Sequence, residues 1–293
     1  MNPVTEFSPA KINLFLAVTG RRADGYHDLV SVAAPLDFGD QLAAEANSAG
    51  FTLTCDDPAI PFDGSNLVLK AAAAFAAATG WPGGAHFRLA KRIPPGAGLG
   101  GGSSNAVAAL RALNQLSGGL LPAPKLAELA AALGSDCALF LQNAPVVMRG
   151  RGERIATLPA AAAARLRGRR VLLFKPSFAI GTLWAYDRMA RAAFPPYLPA
   201  AEAEARLAGW LRGNAPAEEL LFNNMEGVAF DKFIALPVLL AKLRGEFGLA
   251  ARMSGSGSAC FALLRDDFVT APVVARLREC WGPAAFVQEA RFA

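Results

Sequence analysis

The chain has 293 residues, a formal net charge of +5 and an apolar fraction of 53% inflated by alanine-rich runs such as 71–78 and 160–164. That is enough chain for two ordinary domains, each with its own core. No window reaches the about 18–20 uninterrupted apolar residues of a membrane span, and no block of about five or six basic residues marks a nucleic-acid arm. The N-terminal stretch MNPVTEFSPAK lacks the layout of a secretory signal, so the expected compartment is the cytoplasm. The four cysteines, Cys55, Cys137, Cys260 and Cys280, form no Cys-x-x-Cys pair or Cys/His cluster; reduced, mostly buried thiols are expected, not a zinc site.

From Ala10 to Val18 the sequence alternates, so a strand there sets Lys11 and Asn13 on one face. The stretch Gly20–His27 is turn-rich, with Asp24-Gly25 as its turn signal, which leaves Tyr26 and His27 at a loop edge. A short strand is expected at Phe51–Cys55, a helix over Asn66–Ala78 stopped by Gly80 and Pro82, and a strand at Ala85–Ile93. Ser103–Leu116 and Lys125–Leu133 read as helices, and Ser135-Asp136 opens the next element, CALFL. Val146–Leu158 reads as two strands around the turn RGRGE, and the alanines after Pro159 suggest a domain boundary, giving 1–158 and 159–293. Beyond it come a strand at Val171–Phe174, helical stretches over Thr182–Ala193, Ala201–Leu211 and Ala217–Leu243, and a strand at Cys260–Leu264 after MSGSGS. The order suits an α+β sandwich, and no internal repeat is visible.

The segment PPGAGLGGGSSN, from Pro94 through Pro95, Gly96, Ala97, Gly98, Leu99, Gly100, Gly101 and Gly102 to Ser103, Ser104 and Asn105, runs into a helix. Glycines let several backbone N–H groups converge on one anion, and the helix start adds unpaired donors and a positive dipole end. Phosphate is the usual such anion. No lysine follows these glycines, which excludes a Walker loop. The spacing Gly96-x-Gly98-x-x-Gly101 satisfies the dinucleotide fingerprint, but Pro94-Pro95 precedes it and the next acid is Glu128, beyond the helix. The loop chemistry by itself leaves ATP and a dinucleotide open, and with the latter an oxidoreductase.

Together with SPAKINLFLAVTGRRADGYHDL, LGSDCALF, NNMEGVAF and MSGSGSACFAL, this loop resembles the GHMP kinases over nearly the whole chain. The resemblance implies a two-domain α+β fold, with an N-terminal half of the ribosomal protein S5 domain 2 type and a ferredoxin-like C-terminal half. It implies ATP with Mg2+ as the phosphoryl donor, held on Pro94–Ser104, and Lys11 and Asp136 as catalytic residues. Asp136 takes the proton from the attacking hydroxyl while Lys11 stabilises charge near the γ-phosphate. Alone, Asp136 reads as an N-cap and Lys11 as a strand-edge lysine.

Among GHMP kinases the flanking segments resemble those acting on a cytidine-diphosphate-linked methylerythritol, phosphorylated at its 2-hydroxyl in the non-mevalonate isoprenoid pathway. Homoserine- or mevalonate-type kinases, or a non-catalytic nucleotide- or sugar-binding relative, are the alternatives. The resemblance gives His27 hydrogen bonds to the cytosine, Tyr26 and Tyr186 its two faces, and Asn13 a further substrate contact. The turn Ser254–Ser258 within MSGSGS resembles a second glycine turn supporting the site. Mg2+ ligands are not assigned, although Ser103 and Ser104 are candidates, and the protein is expected as a monomer or homodimer. The sequence departs from the family pattern at Cys137-Ala138 (commonly Val-Pro), Gly181 (usually Ser) and Asn224 (often Asp).

Overall fold

Two long strands come first, β1 (Val4–Arg21) and β2 (His27–Asn47), in a computed structural model that describes residues 3–192 and 196–293. The turn between them forms where expected: Gly25 has φ +84°, the Tyr26 amide donates to Asp24 Oδ1 (3.1 Å), and the Arg22 amide donates to the Tyr26 carbonyl (2.8 Å). Then follow β3 (Phe51–Cys55), α1 (Leu67–Thr79), β4 (Gly84–Ala90), α2 (Gly101–Leu116), α3 (Ala123–Leu133), β5 (Val146–Gly150) and β6 (Arg154–Thr157). The remaining elements are α4 (Ala160–Ala164), β7 (Arg170–Lys175), α5 (Thr182–Ala190), α6 (Ala200–Arg212), β8 (Phe222–Asn223), α7 (Met225–Lys232), α8 (Ala235–Phe247), β9 (Ala251–Met253), β10 (Cys260–Leu264), α9 (Ala271–Trp281) and β11 (Phe286–Arg291).

The chain divides into two compact units. Unit 1 comprises Met1–Ala10, Phe38–Pro95 and Gly100–Asn143; unit 2 comprises Lys11–Asp37, Gly96–Leu99 and Ala144–Ala293. These units are discontinuous and follow a different division from the single sequence cut near residue 158, because β1 and β2 each contribute to both.

In unit 1, β4 pairs antiparallel with the second half of β2 (Leu42↔Leu89) and parallel with β3 (Leu53↔Phe87). Helix α1 bridges the parallel pair, as such strands require, and packs against α2 and β3. It starts where Asn66 Oδ1 accepts the Val68 amide (2.8 Å) and stops at Gly80, whose φ of +66° suits a residue without Cβ. Phe75, Phe87, Leu42, Val68 and Leu113 are buried in this unit's core; each such side chain contributes about 1.5–3 kcal/mol over leaving it exposed.

In unit 2, β8 runs parallel to β1 (Phe15↔Phe222), and the first half of β2 pairs with β5, which pairs with β6 around the expected RGRGE turn. A second, antiparallel sheet has the order β11-β7-β10-β9, with Phe174, Phe261, Leu172 and Met253 buried. The SGSGS of MSGSGS lies in the link between β9 and β10.

The expected strand at the chain start and the helices around 66–78, 103–116 and 125–133 are present. The helical stretch expected over Ala217–Leu243 is only partly helical. A 3-10 turn at Ala217–Leu220, β8, α7 and α8 occupy it, because Phe222 pairs with Phe15 and the Asn223 side chain accepts the Met225 amide (2.9 Å). The helix after Thr182 runs to Ala190, and its expected end at Ala193 lies outside the described residues. The alanine run after Pro159 forms helix α4. Strand β2 carries no expectation because its residues are buried on both faces over Val30–Leu36, which removes the alternation that marks a half-exposed strand. Cys137 and Cys260 are buried free thiols, whereas Cys280 is exposed.

Candidate active site

The side chains of Lys11 and Asn13 do lie on one face of β1: Lys11 Nζ donates to Asn13 Oδ1 at 2.6 Å. Both are buried, at 3% and 5% exposure. A charged group at that depth needs polar neighbours, and β1 and β2 supply them in a chain. Asn13 Nδ2 donates to Ser31 Oγ (2.9 Å), and Ser31 Oγ donates to the Phe15 carbonyl (2.7 Å).

The same strand holds the first half of the glycine loop. The Lys11 amide donates to the Leu99 carbonyl (2.9 Å), the Asn13 amide donates to Ser254 Oγ (3.3 Å), and Ser254 Oγ donates to the Gly98 carbonyl (3.2 Å). The Ala259 amide closes the arrangement on the Ala97 carbonyl (3.0 Å). Lys11, Asn13, Gly96–Leu99 and Ser254–Ser258 are thus brought together within unit 2. A Cβ on Gly98 would meet the Ser254 carbonyl oxygen, and a Cβ on Gly255 would lie 3.4 Å from Asn13 Oδ1 and 3.6 Å from Lys11 Nζ. Glycine is required at 98 by this approach and by its φ of +76°.

Along the loop Gly96, Gly98 and Gly100 have φ of +60°, +76° and +74°, while Ala97 and Leu99 are buried between them. The apolar side chains anchor the segment and the glycines reverse the backbone, the alternation that turns successive N–H groups into an anion concavity. In unit 1, α2 begins directly after Gly100, and its first turn carries N–H groups with no intrahelical acceptor. Ser104 Oγ is buried there with no hydrogen-bond partner among the described residues. An orphaned hydroxyl at a helix start fits a phosphate oxygen or a phosphate-bound cation, so these residues suit a nucleotide phosphate group. Among the described residues no cluster of three or more His, Cys, Asp or Glu forms a metal site.

Asp136 occupies the N-cap position of the 3-10 turn Cys137–Leu141, yet its side chain makes no capping hydrogen bond. The purely local reading of this carboxylate therefore lacks its defining contact. Cys137 beside it is buried, which pushes its thiol up to about 11, against a smaller lowering from the Ser103 hydroxyl.

At the far end of the strand pair, His27 is nearly buried at the start of β2. Its ring centroid lies 4.9 Å from that of Tyr186 and 5.8 Å from that of Tyr197, and Nε2 is 3.1 Å from Tyr197 Oη. Burial pushes the imidazole below its ordinary value, with Arg21 adding to the effect, and pushes the Tyr197 phenol up. Tyr26 is 54% exposed and carries the Arg151 guanidinium 4.6 Å from its centroid.

Two residues were missed by sequence reasoning. Tyr197 follows a proline pair and carries no periodic signal. Asn223 is buried and donates through Nδ2 to the carbonyls of Met253 and Gly255, both at 2.8 Å, clamping the MSGSGS turn; its place in NNMEGVAF was the available clue. The neighbouring Asn224 has a physical use of its own. Its Nδ2 donates to the carbonyls of Val18 (2.8 Å) and Pro196 (2.9 Å) while Oδ1 accepts the Val18 amide, and an ionised carboxylate could not donate.

Residues 66–150 match the model of the GHMP kinases N terminal domain, and 211–282 match that of GHMP kinases C terminal. The chain belongs to the GHMP kinases. As such it is an ATP-dependent phosphotransferase with an alcohol acceptor, which resolves the nucleotide left open by the loop alone. It has the mixed α+β GHMP kinase fold. It is 36% identical over 274 residues to the 4-diphosphocytidyl-2-C-methyl-D-erythritol kinase of Methylacidiphilum infernorum, covering 91% of this chain and 88% of that one. The enzyme of the same name from Synechococcus sp. strain CC9902 is 39% identical over 275 residues, covering 90% and 88%. A crystal structure of 4-(cytidine 5'-diphospho)-2C-methyl-D-erythritol kinase superposes with a TM-score of 0.78 at 35% identity, covering 99% of this chain and 100% of that one. Homoserine kinase from Cytophaga hutchinsonii shares the GHMP fold, with a TM-score of 0.75 at 18% identity over 100% of this chain and 95% of that one. Among the described residues no helix is long and apolar enough to cross a membrane.

Proposed function

We propose that this kinase transfers the γ-phosphate of ATP to the 2-hydroxyl of 4-diphosphocytidyl-2-C-methyl-D-erythritol, in the cytoplasm, as a step of the non-mevalonate isoprenoid pathway. The observation that carries the reading is the match, over nine-tenths of the chain, to enzymes named for that substrate. The rings of His27, Tyr186 and Tyr197 support it, because a part-buried aromatic cluster with a polar edge suits a nucleobase. The domain extents that go with it are 1–158 for ATP binding and 159–293 for the C-terminal domain, in a monomer or homodimer.

In this reading the loop Pro94–Ser104 holds the ATP phosphates through backbone N–H groups and the Ser104 hydroxyl. The Asp136 carboxylate accepts the proton of the 2-hydroxyl as its oxygen bonds to the γ-phosphorus. The bond between that phosphorus and the bridging oxygen breaks, and ADP leaves with the electron pair. Lys11, aligned by Asn13, offsets the charge that gathers on the transferred group. Mg2+ bound to ATP would neutralise its phosphates, and Ser103 or Ser104 would supply a hydroxyl to it. Asn13, Tyr26, His27 and Tyr186 bind the cytidine-linked substrate.

An assay coupled to ADP release, run with MgATP over a panel of alcohols, tests this reading. Turnover is expected on the cytidine-linked methylerythritol and to fall at least about 100-fold in Lys11→Ala and in Asp136→Asn. Turnover on homoserine or mevalonate in its place would retain the family and reject the substrate. Full activity of Asp136→Asn would remove it as the base.

A further inference from the structure

Asp40 is fully buried in β2, and every acceptor position of its carboxylate is used. Oδ1 accepts the amides of Arg92 (2.7 Å) and Ile93 (2.8 Å), the residues that lead into Pro94. Oδ2 accepts Lys91 Nζ (2.5 Å) and Asn105 Nδ2 (2.9 Å), and Asn105 is the fifth residue of α2. Asn105 Nδ2 is also shared with Ser8 Oγ (2.8 Å). A single carboxylate in unit 1 thus ties the stem entering the glycine loop to the stem leaving it. The same ion pair crowds the loop's second half, since a Cβ on Gly101 would lie 3.1 Å from Lys91 Nζ and 3.0 Å from Ile93 Cγ2.

A cradle of N–H groups works only if its donors are aimed before the anion arrives, and a run of glycines has no stiffness of its own. The carbonyls of Ala97, Gly98 and Leu99 are held from unit 2, and the remaining stiffness has to come from the stems. We propose that Asp40 is the positioning residue of the phosphate loop: it fixes both stems and so sets the affinity for ATP, with no effect on the alcohol substrate. The inference rests on the reading that the loop holds the ATP phosphates.

Asparagine at 40 can satisfy one pair of donors but not both. Whichever way the amide turns, its NH2 faces either two backbone N–H groups or the Lys91 ammonium and the Asn105 amide. Asp40→Asn and Asn105→Ala are therefore compared with wild type for kcat, both KM values, thermal unfolding, and direct binding of a non-hydrolysable ATP analogue. The KM for ATP is expected to rise about tenfold in each, with analogue binding weakened in parallel and the alcohol KM unchanged within about twofold. Asn105→Ala keeps the Asp40–Lys91 ion pair and both backbone bonds, so it decides the matter if Asp40→Asn does not fold. A lowered unfolding temperature with an unchanged ATP KM, or equal rises in both KM values, would overturn the proposal.

Gly102→Asp serves as the parallel test of the loop itself. A Cβ there meets nothing closer than Leu67 Cδ1 at 3.5 Å, and an acid suits a helix's first turn, so the fold is retained while the added charge repels phosphate. Unchanged ATP binding in Gly102→Asp would reject the loop as the phosphate site. Weakened binding there with normal binding in the other two variants would reject the role of Asp40 alone.

Discussion

Around Gly98 the contacts of unit 2 are made largely by the backbone: carbonyls of Ala97, Gly98 and Leu99 are held by the Ala259 amide, the Ser254 hydroxyl and the Lys11 amide. Around His27 they are made by side chains, with rings from β2, α5 and the segment before α6 meeting at centroid distances of 4.9 and 5.8 Å. The first region tolerates little change in shape, because a methyl group has nowhere to go. The second is open to changes in chemistry, since a ring can be exchanged without moving the chain. A phosphate looks alike in every nucleotide and is suited to fixed N–H groups, whereas telling one base from another takes polar edges and flat faces.

The largest test of that contrast is Gly98→Ala. It forces an L-residue into φ +76° and a Cβ against the Ser254 carbonyl oxygen, so the loop and the MSGSGS turn must part. Activity is expected to fall at least about 100-fold, with a lowered unfolding temperature. A fully active Gly98→Ala enzyme would show that the loop is softer than its contacts imply.

His27→Gln should act on one substrate only, raising the KM for the cytidine-linked alcohol about tenfold and leaving the KM for ATP alone. The wild-type pH profile sharpens this. Burial depresses the His27 pKa in the folded protein, so the neutral ring is favoured there and its contribution is complete above the ordinary histidine value of about 6.5. As pH falls below that value the unfolded chain binds the proton first, and stability declines; once the folded-state pKa is passed, the alcohol KM should rise as well. A profile in which wild type and His27→Gln lose affinity in parallel would assign the effect to another group.

The smallest expected effect belongs to Arg151, whose guanidinium lies over the ring of Tyr26. Arg151→Met should raise the alcohol KM by about two- to fivefold, the scale of an exposed cation–π contact. No change would make Tyr26 an independent platform.

Much of this was legible in the sequence because it is local. Glycine spacing, the Asp24-Gly25 turn and the alternation that sets Lys11 and Asn13 side by side each depend on backbone preferences over a few residues. The helix around 66–78 carries its own start and stop signals in Asn66 and Gly80. Strand β2 lacks such a signal because burial on both faces hides its period, and the stretch 217–243 misled because helix-forming residues surround Phe222 and Asn223, whose extended form is fixed by Phe15 and by a side-chain cap.

The sequence by itself thus determined the family, the glycine loop, and the residue types offered for phosphoryl transfer, since those depend on which residues stand near one another along the chain. The tertiary structure alone decided which distant groups serve them. Ser254 and Ala259 hold the loop carbonyls, Asn223 clamps the turn that carries Ser254, Tyr197 meets His27, and Asp40 closes the stems on each side of the glycines. Hydrogen bonds and ring contacts act through space over a few ångströms, and chain order carries no record of partners so far apart in sequence.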